Sequence, residues 1–324
     1  MIHGARCLQQ KGSAVHTHAE WLWGGKRLTV SCMLSRCYLM SVGEFLDGAK
    51  GEGLLKAAMG KIDCARRERA EETMPGLPRA ACVGAGLLLQ LAVRTAFGGG
   101  GCGEAGVKEG LPLQADGGAG VEEGLPLRAC GKVGVVGGLF FGTDRSGTDA
   151  PTASEGGMDV PIAGEADGLT VYSALRVMEL VGRPIELVMG YGEKGKPYLR
   201  EYPLFFNLSH SGEYVVCAVS DREIGVDIQK CSDVDVGRIA ERFFSKEECK
   251  ALEGCGTVEE RRRLFFRLWV RKEAYGKLLG GGITGVISES LLPDGRGPAA
   301  TGEFLWREWD RPEGYMIAMC QRAY

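Results

Sequence analysis

The chain has 324 residues, 51 of them glycine, with a hydrophobic fraction of 44%, a charged fraction of 25% and a formal net charge of −3. Its twelve prolines follow no Gly-X-Y period, which excludes a collagen-like fibre, and so small a net charge gives no electrostatic reason to bind nucleic acid. The longest apolar run, 80–93, is interrupted by Gln90 and falls short of the ~20 residues of a membrane span, while twelve scattered cysteines without a CxxC pair or an apolar signal segment point to a reduced, cytoplasmic protein.

Residues 1–35 hold three of the four histidines, His3, His16 and His18, and show no sustained periodicity, so an unstructured leader is expected. The His16-x-His18 pair has no third metal ligand nearby. Met33 precedes the first well-patterned segment and Met40 lies early within it, and a start codon assigned too far upstream would account for the leader. From Cys37, CYLMSVGEFL predicts a strand and LLKAAMGKIDCARRERAEE a charged helix or helix pair. PRAACVGAGLLLQLAVRTAF predicts a largely buried helix, stopped by the glycine run at 98–101.

The glycine excess is concentrated in residues 98–168. Two copies of a 14-residue repeat lie there, GVKEGLPLQADG and GVEEGLPLRACG, too few to stack as a solenoid. Glycine and small polar residues bury too little apolar surface to offset backbone ordering, roughly 1–2 kcal/mol per residue, so a disordered insertion is expected. A partner-binding role for the EGLPL copies is the alternative, and KVGVVGGLFFG could add a strand.

Beyond the insertion, VYSALRVMELVG predicts an amphipathic helix with Leu175, Met178 and Val181 on one face, and PIELVMGYGEKGKPYL a strand entering a glycine-rich turn. FFNLSHSGEYVVCAVSD places a polar turn before a strand, and REIGVDIQK is another short strand. DVGRIAERFFSKEECKAL and EERRRLFFRLWVRKEAYGKLL are helices, and GEFLWREWD with GYMIAMCQRAY forms a terminal hairpin. Strands and helices intersperse without regular βαβ alternation, which predicts an α+β fold with antiparallel sheets.

Four of these segments could carry chemistry. On the last helix Trp269, Glu273 and Lys277 are four apart and share a face with Lys272 beside them, although a Glu–Lys pair at this spacing also serves as a solvated helix-stabilising pair. In GVDIQ, Gly225, Asp227 and Gln229 share one strand face and Val226 and Ile228 the other. Asp227 beside a glycine is a candidate Mg²⁺ ligand, and a surface strand with its polar face in water gives the same pattern. NLSHSG gathers amide, hydroxyl and imidazole groups, without the elbow of a serine nucleophile, so anion binding suits Ser209 and His210 better. YGEKGKP presents Lys194 and Lys196 on a glycine turn, a simple way to offer ammonium and backbone N–H groups to phosphate.

In the order GKP, FNLSHSG, IGVDIQ, ERFFSKEE, LWVRKEAYGK and GYMIAMC, these strings resemble the surfactin-synthetase-type 4′-phosphopantetheinyl transferases. The resemblance covers 191–324 and extends more loosely upstream through CYLMSVGEF, ARRERA and GAGLLLQ. It implies a monomer of two pseudo-symmetric α/β halves, 36–219 and 220–324, with the active site in the cleft between them and 98–168 interrupting the first half. It implies an enzyme that moves 4′-phosphopantetheine from coenzyme A to a serine of an acyl or peptidyl carrier protein with Mg²⁺. The other product is adenosine 3′,5′-bisphosphate. Carried over by residue, Asp227 and Glu273 would hold Mg²⁺, Glu273 would also take the serine proton, and Lys277 would stabilise the leaving phosphate. Lys196, Ser209 and His210, with Arg66 and Arg69 upstream, would contact coenzyme A.

The chain departs from the pattern at Gln229, where many members carry a third acidic ligand; a neutral amide oxygen can still coordinate Mg²⁺ or a bound water, with one charge fewer. That departure and the insertion leave a second reading, a non-catalytic homologue that binds coenzyme A or a carrier protein. Because carriers are usually acidic, the run Arg261–Arg263 is either part of a basic lip around the cleft or a solvated helix face.

Overall fold

The computed structural model describes residues 18–23, 26–31, 35–97, 167–293 and 301–323. The repeat copies, the KVGVVGGLFFG segment, His3, His16 and the arguments about a disordered insertion lie outside the described residues.

Part of the expected leader forms a hairpin. Strands β1 (His18–Trp23) and β2 (Lys26–Ser31) pair antiparallel from His18 opposite Ser31 to Trp23 opposite Lys26. The overlooked signal is two short runs rich in Trp, Leu, Thr and Val separated by Gly24-Gly25, a two-residue hairpin punctuation.

The remainder is α+β. Strand β3 (Arg36–Ser41) runs into a 3₁₀ turn at Gly43–Leu46, then α1 (Gly48–Met59), α2 (Cys64–Glu72) and α3 (Leu77–Phe97). After 98–166 come β4 (Leu169–Tyr172), α4 (Ala174–Val181), the hairpin β5 (Met189–Tyr191) and β6 (Pro197–Leu199), then β7 (Phe205–Ser211) and β8 (Tyr214–Ser220). The last part holds β9 (Ile224–Lys230), α5 (Val236–Phe243), α6 (Lys246–Glu253), α7 (Val258–Leu279), β10 (Phe304–Trp309) and β11 (Tyr315–Arg322).

Two larger sheets result, in the orders β4-β3-β8-β7 and β10-β11-β9. All their pairings are antiparallel except β3 with β4, which is parallel. One core packs α3, α4 and the α1 region on the first sheet, and another packs α5–α7 on the second. A third lies between the sheets, with Leu39, Val216 and Ala218 from one and Val226, Ile228 and Ile317 from the other. Strands sandwiched this way are buried on both faces: β8 reads as a continuous apolar run, and β9 is buried from Ile224 to Ile228 although Asp227 interrupts its apolar residues.

Helix α3 spans 21 residues, longer than its apolar run suggests, and meets the length and composition of a membrane span; 78% of that stretch is buried against the rest of the protein. Gln90, which interrupts the run, is wholly buried. Its amide donates to the Ile185 carbonyl (2.5 Å) and accepts from the Ile185 N–H (2.8 Å), as a neighbouring strand would. Lys61 and Arg94 donate to the carbonyls of Gly182 and Arg183. The segment expected to be a strand from Pro184 is therefore an extended strap tied down by side chains, and strand pairing starts only at Met189.

Two other expectations change. Val171 and Tyr172 belong to β4, and α4 begins after the Ser173 cap; it buries Ala174, Val177, Met178 and Val181 and leaves Leu175 exposed. NLSHS is strand β7, not a turn, and the reversal falls at Gly212-Glu213.

Candidate active site

The site is built where β7, β9 and α7 meet. Asp227 sits mid-way along β9, and the face it shares with Gly225 is covered by α7, not by water. The reason is Gly225: a Cβ there would lie 2.0 Å from the Ala274 carbonyl oxygen and 2.6 Å from the Leu278 nitrogen, so only glycine lets the helix backbone seat on the strand. The helix is fixed at its start by a capping box between Thr257 and Glu260, and at its end by Gly280 at φ 73°.

β7 and β9 belong to different sheets and are joined by side chains. Asn207 Oδ1 accepts from the Val226 N–H (2.9 Å), Ser209 Oγ donates to Asp227 Oδ1 (2.7 Å), and Ser211 Oγ accepts from the Lys230 N–H (3.0 Å). The period of two along β7 thus takes the place of a main-chain ladder and fixes where Asp227 stands.

Lys277 completes the cluster from α7. Its Nζ donates to Asp227 Oδ1 (2.7 Å), Ser209 Oγ (2.8 Å) and the Val226 carbonyl (3.3 Å). Glu273, one turn earlier, is 3% exposed. Burial, reinforced by the Asp227 charge and opposed by Lys277, pushes its carboxyl up to about 8. Asp227 Oδ2 and Glu273 Oε1 are both buried without a hydrogen-bond partner. Buried carboxylate oxygens left unpaired are costly, and two of them on carboxylates close enough to feel each other's charge suit a hard divalent cation. Mg²⁺ keeps several waters and needs only one or two protein carboxylates when phosphates supply the rest. Gln229 is two residues along the same face of β9 and half-buried, and among the described residues no cluster of three or more acidic, histidine or cysteine side chains occurs.

A cavity of about 940 Å³ opens beside the cluster. Its wall includes Asp63, Cys64 and Arg66 at the start of α2 and Arg69 in its last turn, Leu187 and Val188 from the strap with Met189 of β5, Lys194 and Lys196 from the β5–β6 turn, and Lys277 with Gly280–Gly282 at the end of α7. Cys64 donates through its N–H and its thiol to the Glu186 carboxylate (3.1 and 3.3 Å), and this bond raises the thiol.

Of the nine site residues named from sequence, the structure gathers Ser209, Asp227, Glu273 and Lys277 into one cluster and sets Gln229 next to it. Arg66, Arg69 and Lys196 join Lys277 in the cavity wall. Lys196 is not a free ammonium: its Nζ donates to the carbonyls of Leu278 (2.8 Å) and Ile224 (3.2 Å), and burial lowers its pKa. His210 is on the other face of β7 from Ser209. It is exposed, yet desolvation by the atoms crowding its ring, and then Lys277, hold its imidazole below the ordinary value.

Lys272, expected beside the reactive face, is fully buried. Its ammonium pairs with Glu248 at 2.9 Å and donates to the carbonyls of Val286, Ile287 and Glu289, while Glu248 also accepts from the N–H groups of Ser245 and Leu291. Trp269 lies in an aromatic cluster with Phe243, Phe244 and Phe265. Sequence reasoning missed Gln90, Glu186 and Glu248, of which the polar break at Gln90 in an apolar helix was visible, and it noted Asn207 only as the amide of NLSHSG.

A sequence model of the 4′-phosphopantetheinyl transferase superfamily matches residues 223–320, the stretch that holds Asp227, Gln229, Glu273 and Lys277. The 4′-phosphopantetheinyl transferase AcpT of Salmonella typhimurium is 37% identical over 141 residues, 42% of this chain and 73% of the relative. The chain belongs to the 4′-phosphopantetheinyl transferase superfamily. The 4′-phosphopantetheinyl transferase psf-1 of Bacillus pumilus is 37% identical over 160 residues, 45% of this chain and 66% of the relative. The 4′-phosphopantetheinyl transferase Sfp of Bacillus subtilis is 34% identical over 136 residues, 40% of this chain and 60% of the relative. The chain thus spans less than two thirds of the length of several of the superfamily members it matches. Within the superfamily match, Glu273 and Lys277 lie in the cluster around Asp227, whereas Lys272, in the same W-x-x-K-E-A string, is paired with Glu248 inside the fold.

Proposed function

We propose that the chain transfers 4′-phosphopantetheine from coenzyme A to a serine of an apo acyl or peptidyl carrier protein, releasing adenosine 3′,5′-bisphosphate. The observation that carries this reading is the pair of unpartnered buried oxygens on Asp227 and Glu273, set beside Lys277 at the edge of a cavity with basic side chains in its wall. The parts of the chain before and after about residue 220 act as two halves of a monomeric, cytoplasmic enzyme, with this cavity as the cleft between them.

Asp227 and Glu273 would hold Mg²⁺, with the Gln229 amide oxygen contributing directly or through water. When bound, the ion supplies charge neutralisation to the pyrophosphate oxygens. In the reaction the carrier serine oxygen bonds to the β-phosphorus and the bond to the bridging oxygen of the leaving nucleotide breaks. Glu273 takes the serine proton, a role suited to a carboxyl whose pKa of about 8 lies near working pH. Lys277 places an ammonium where charge develops on the leaving phosphate, and Ser209 and Asp227 hold that ammonium in place. Arg66 and Arg69 place further cations in the cavity wall.

Incubating the protein with coenzyme A, Mg²⁺ and a panel of apo carriers tests this. One phosphopantetheine should be added per carrier, on its serine. Folded protein that binds coenzyme A and modifies no carrier would instead support a non-catalytic binding homologue.

A further inference from the structure

Between α4 and β5 the chain passes through residues 182–188 without helix or strand, and this strap supplies Glu186, Leu187 and Val188 to the cavity wall. Its far end enters the β5–β6 hairpin, where the Val188 carbonyl accepts from the Arg200 N–H (2.9 Å). Before that point it is held by side chains. Lys61 Nζ donates to the Gly182 carbonyl (2.9 Å), Arg94 donates to the Arg183 carbonyl, and the Glu186 carboxylate accepts from the N–H and the thiol of Cys64. The central hold is Gln90, which takes both main-chain groups of Ile185, the residue next to Glu186.

Gln90 is foreign to its surroundings. It is buried on α3 among Leu88, Leu89 and Leu91, where a methionine would fill the same space without an amide to satisfy. A primary amide offers a donor and an acceptor side by side, so it can bond both groups of one residue in a passing chain, as an opposite strand residue does. Among the described residues, none of α3 lines the cavity. What the amide adds at this position is therefore its hold on the strap.

We propose that Gln90 is a positioning residue for coenzyme A: from inside α3, and aided by Lys61 at the near end, it seats the strap and so sets the share of molecules whose cavity wall is in place to take the ligand. The identity of the ligand rests on the transferase reading, while the hold on the strap is independent of it. A loosened strap lowers the apparent affinity by the fraction of protein in which the strap is seated. The complex that does form keeps Asp227, Glu273 and Lys277 where β9 and α7 place them. The defect therefore falls on KM and spares kcat.

The test is Q90M in the full chain, which keeps the shape of the side chain and removes both hydrogen bonds, with K61M as a milder companion. Amide hydrogen exchange of peptides covering 183–189 should speed up in Q90M, and N-ethylmaleimide should alkylate Cys64 faster once Glu186 no longer holds its thiol. Exchange of peptides covering 224–230 should stay at the wild-type rate. In carrier modification KM for coenzyme A should rise about tenfold, as for a strap seated in about one molecule in ten, with kcat within about threefold of wild type. K61M should move exchange and KM in the same direction by less. Unchanged exchange and alkylation in Q90M, or a loss confined to kcat, overturns the proposal. If Q90M shows no cooperative melting transition, K61M decides, and wild-type exchange at 183–189 in K61M overturns the proposal. If wild-type protein modifies no carrier, the transferase reading fails, and exchange and alkylation still decide whether Gln90 holds the strap.

Discussion

Asp227 and Lys277 are 50 residues apart in sequence and 2.7 Å apart in space, and both also touch the Ser209 hydroxyl. The ion pair is partly buried, with side-chain exposures of 7% for the aspartate and 26% for the lysine. It uses one oxygen of Asp227 and leaves the other buried without a hydrogen-bond partner, as is Glu273 Oε1. That division of labour within one carboxylate generates the predictions for both acids.

Glu273→Gln should reduce carrier modification by about 10²–10⁴-fold, the range for loss of a positioned proton acceptor, with an unchanged circular dichroism spectrum. It also has a signature in stability. The folded protein keeps the Glu273 proton up to about pH 8 whereas the unfolded chain releases it near 4.5. Metal-free wild type therefore loses stability as pH rises through that window. The variant carries no such proton, so melting curves in chelator should coincide near pH 4 and separate, with the variant more stable, up to about pH 8. A difference that does not vary with pH would refute the assignment.

Asp227→Asn removes the charge that helps to raise Glu273. The pH window in which metal-free stability declines should then end at a lower pH than in wild type, and Mg²⁺ should no longer raise the melting temperature. Differential scanning calorimetry across pH, with and without Mg²⁺, reads both effects.

Cys64 reports on the cavity. Its thiol is exposed, lines the wall and is held up by Glu186. Coenzyme A should slow its alkylation by N-ethylmaleimide while leaving Cys249 and Cys255, which do not line the cavity, unaffected. Glu186→Gln should speed the reaction in the absence of coenzyme A, because removing the carboxylate lowers the thiol pKa and raises the thiolate fraction. Peptide mass spectrometry quantifies each site.

Lys272→Met alone should destabilise the fold by about 3–5 kcal/mol, since it strands the fully buried Glu248 carboxylate. Adding Glu248→Leu should recover a large part of that loss, because a buried ion pair replaced by apolar side chains is often neutral. Chemical denaturation of the two single variants and the double variant measures the coupling.

The helices, the strand containing Asp227 and the terminal hairpin were legible because their hydrophobic periods are regular and their caps carry the usual residues. Residues 257–280 show this best, with Thr257, Glu260 and Gly280 all readable as boundaries. The errors came from tertiary context. NLSHS resembles a turn by composition, and becomes a strand because its alternate polar side chains bond to β9 across the sheet boundary. The polar face of GVDIQ was compatible with either a metal ligand or a water-facing strand, and α7 covers it. Glu273 and Lys277 were found through the pattern they share with Asp227, but the same pattern gave no means of telling Lys272 or Lys196 apart from them. A lysine's role is set by which oxygens surround its ammonium, and those oxygens belong mostly to main chain that is far away in sequence.

The contact at Gly225 places a further constraint on the family chemistry. The separation between the strand that bears Asp227 and the helix that bears Glu273 is set by main chain resting on main chain, with no side chain in between to be exchanged or repacked. Residues elsewhere in the chain can be exchanged without altering that separation. Whether a distant homologue retains this geometry can therefore be judged first at a position that has no functional group at all.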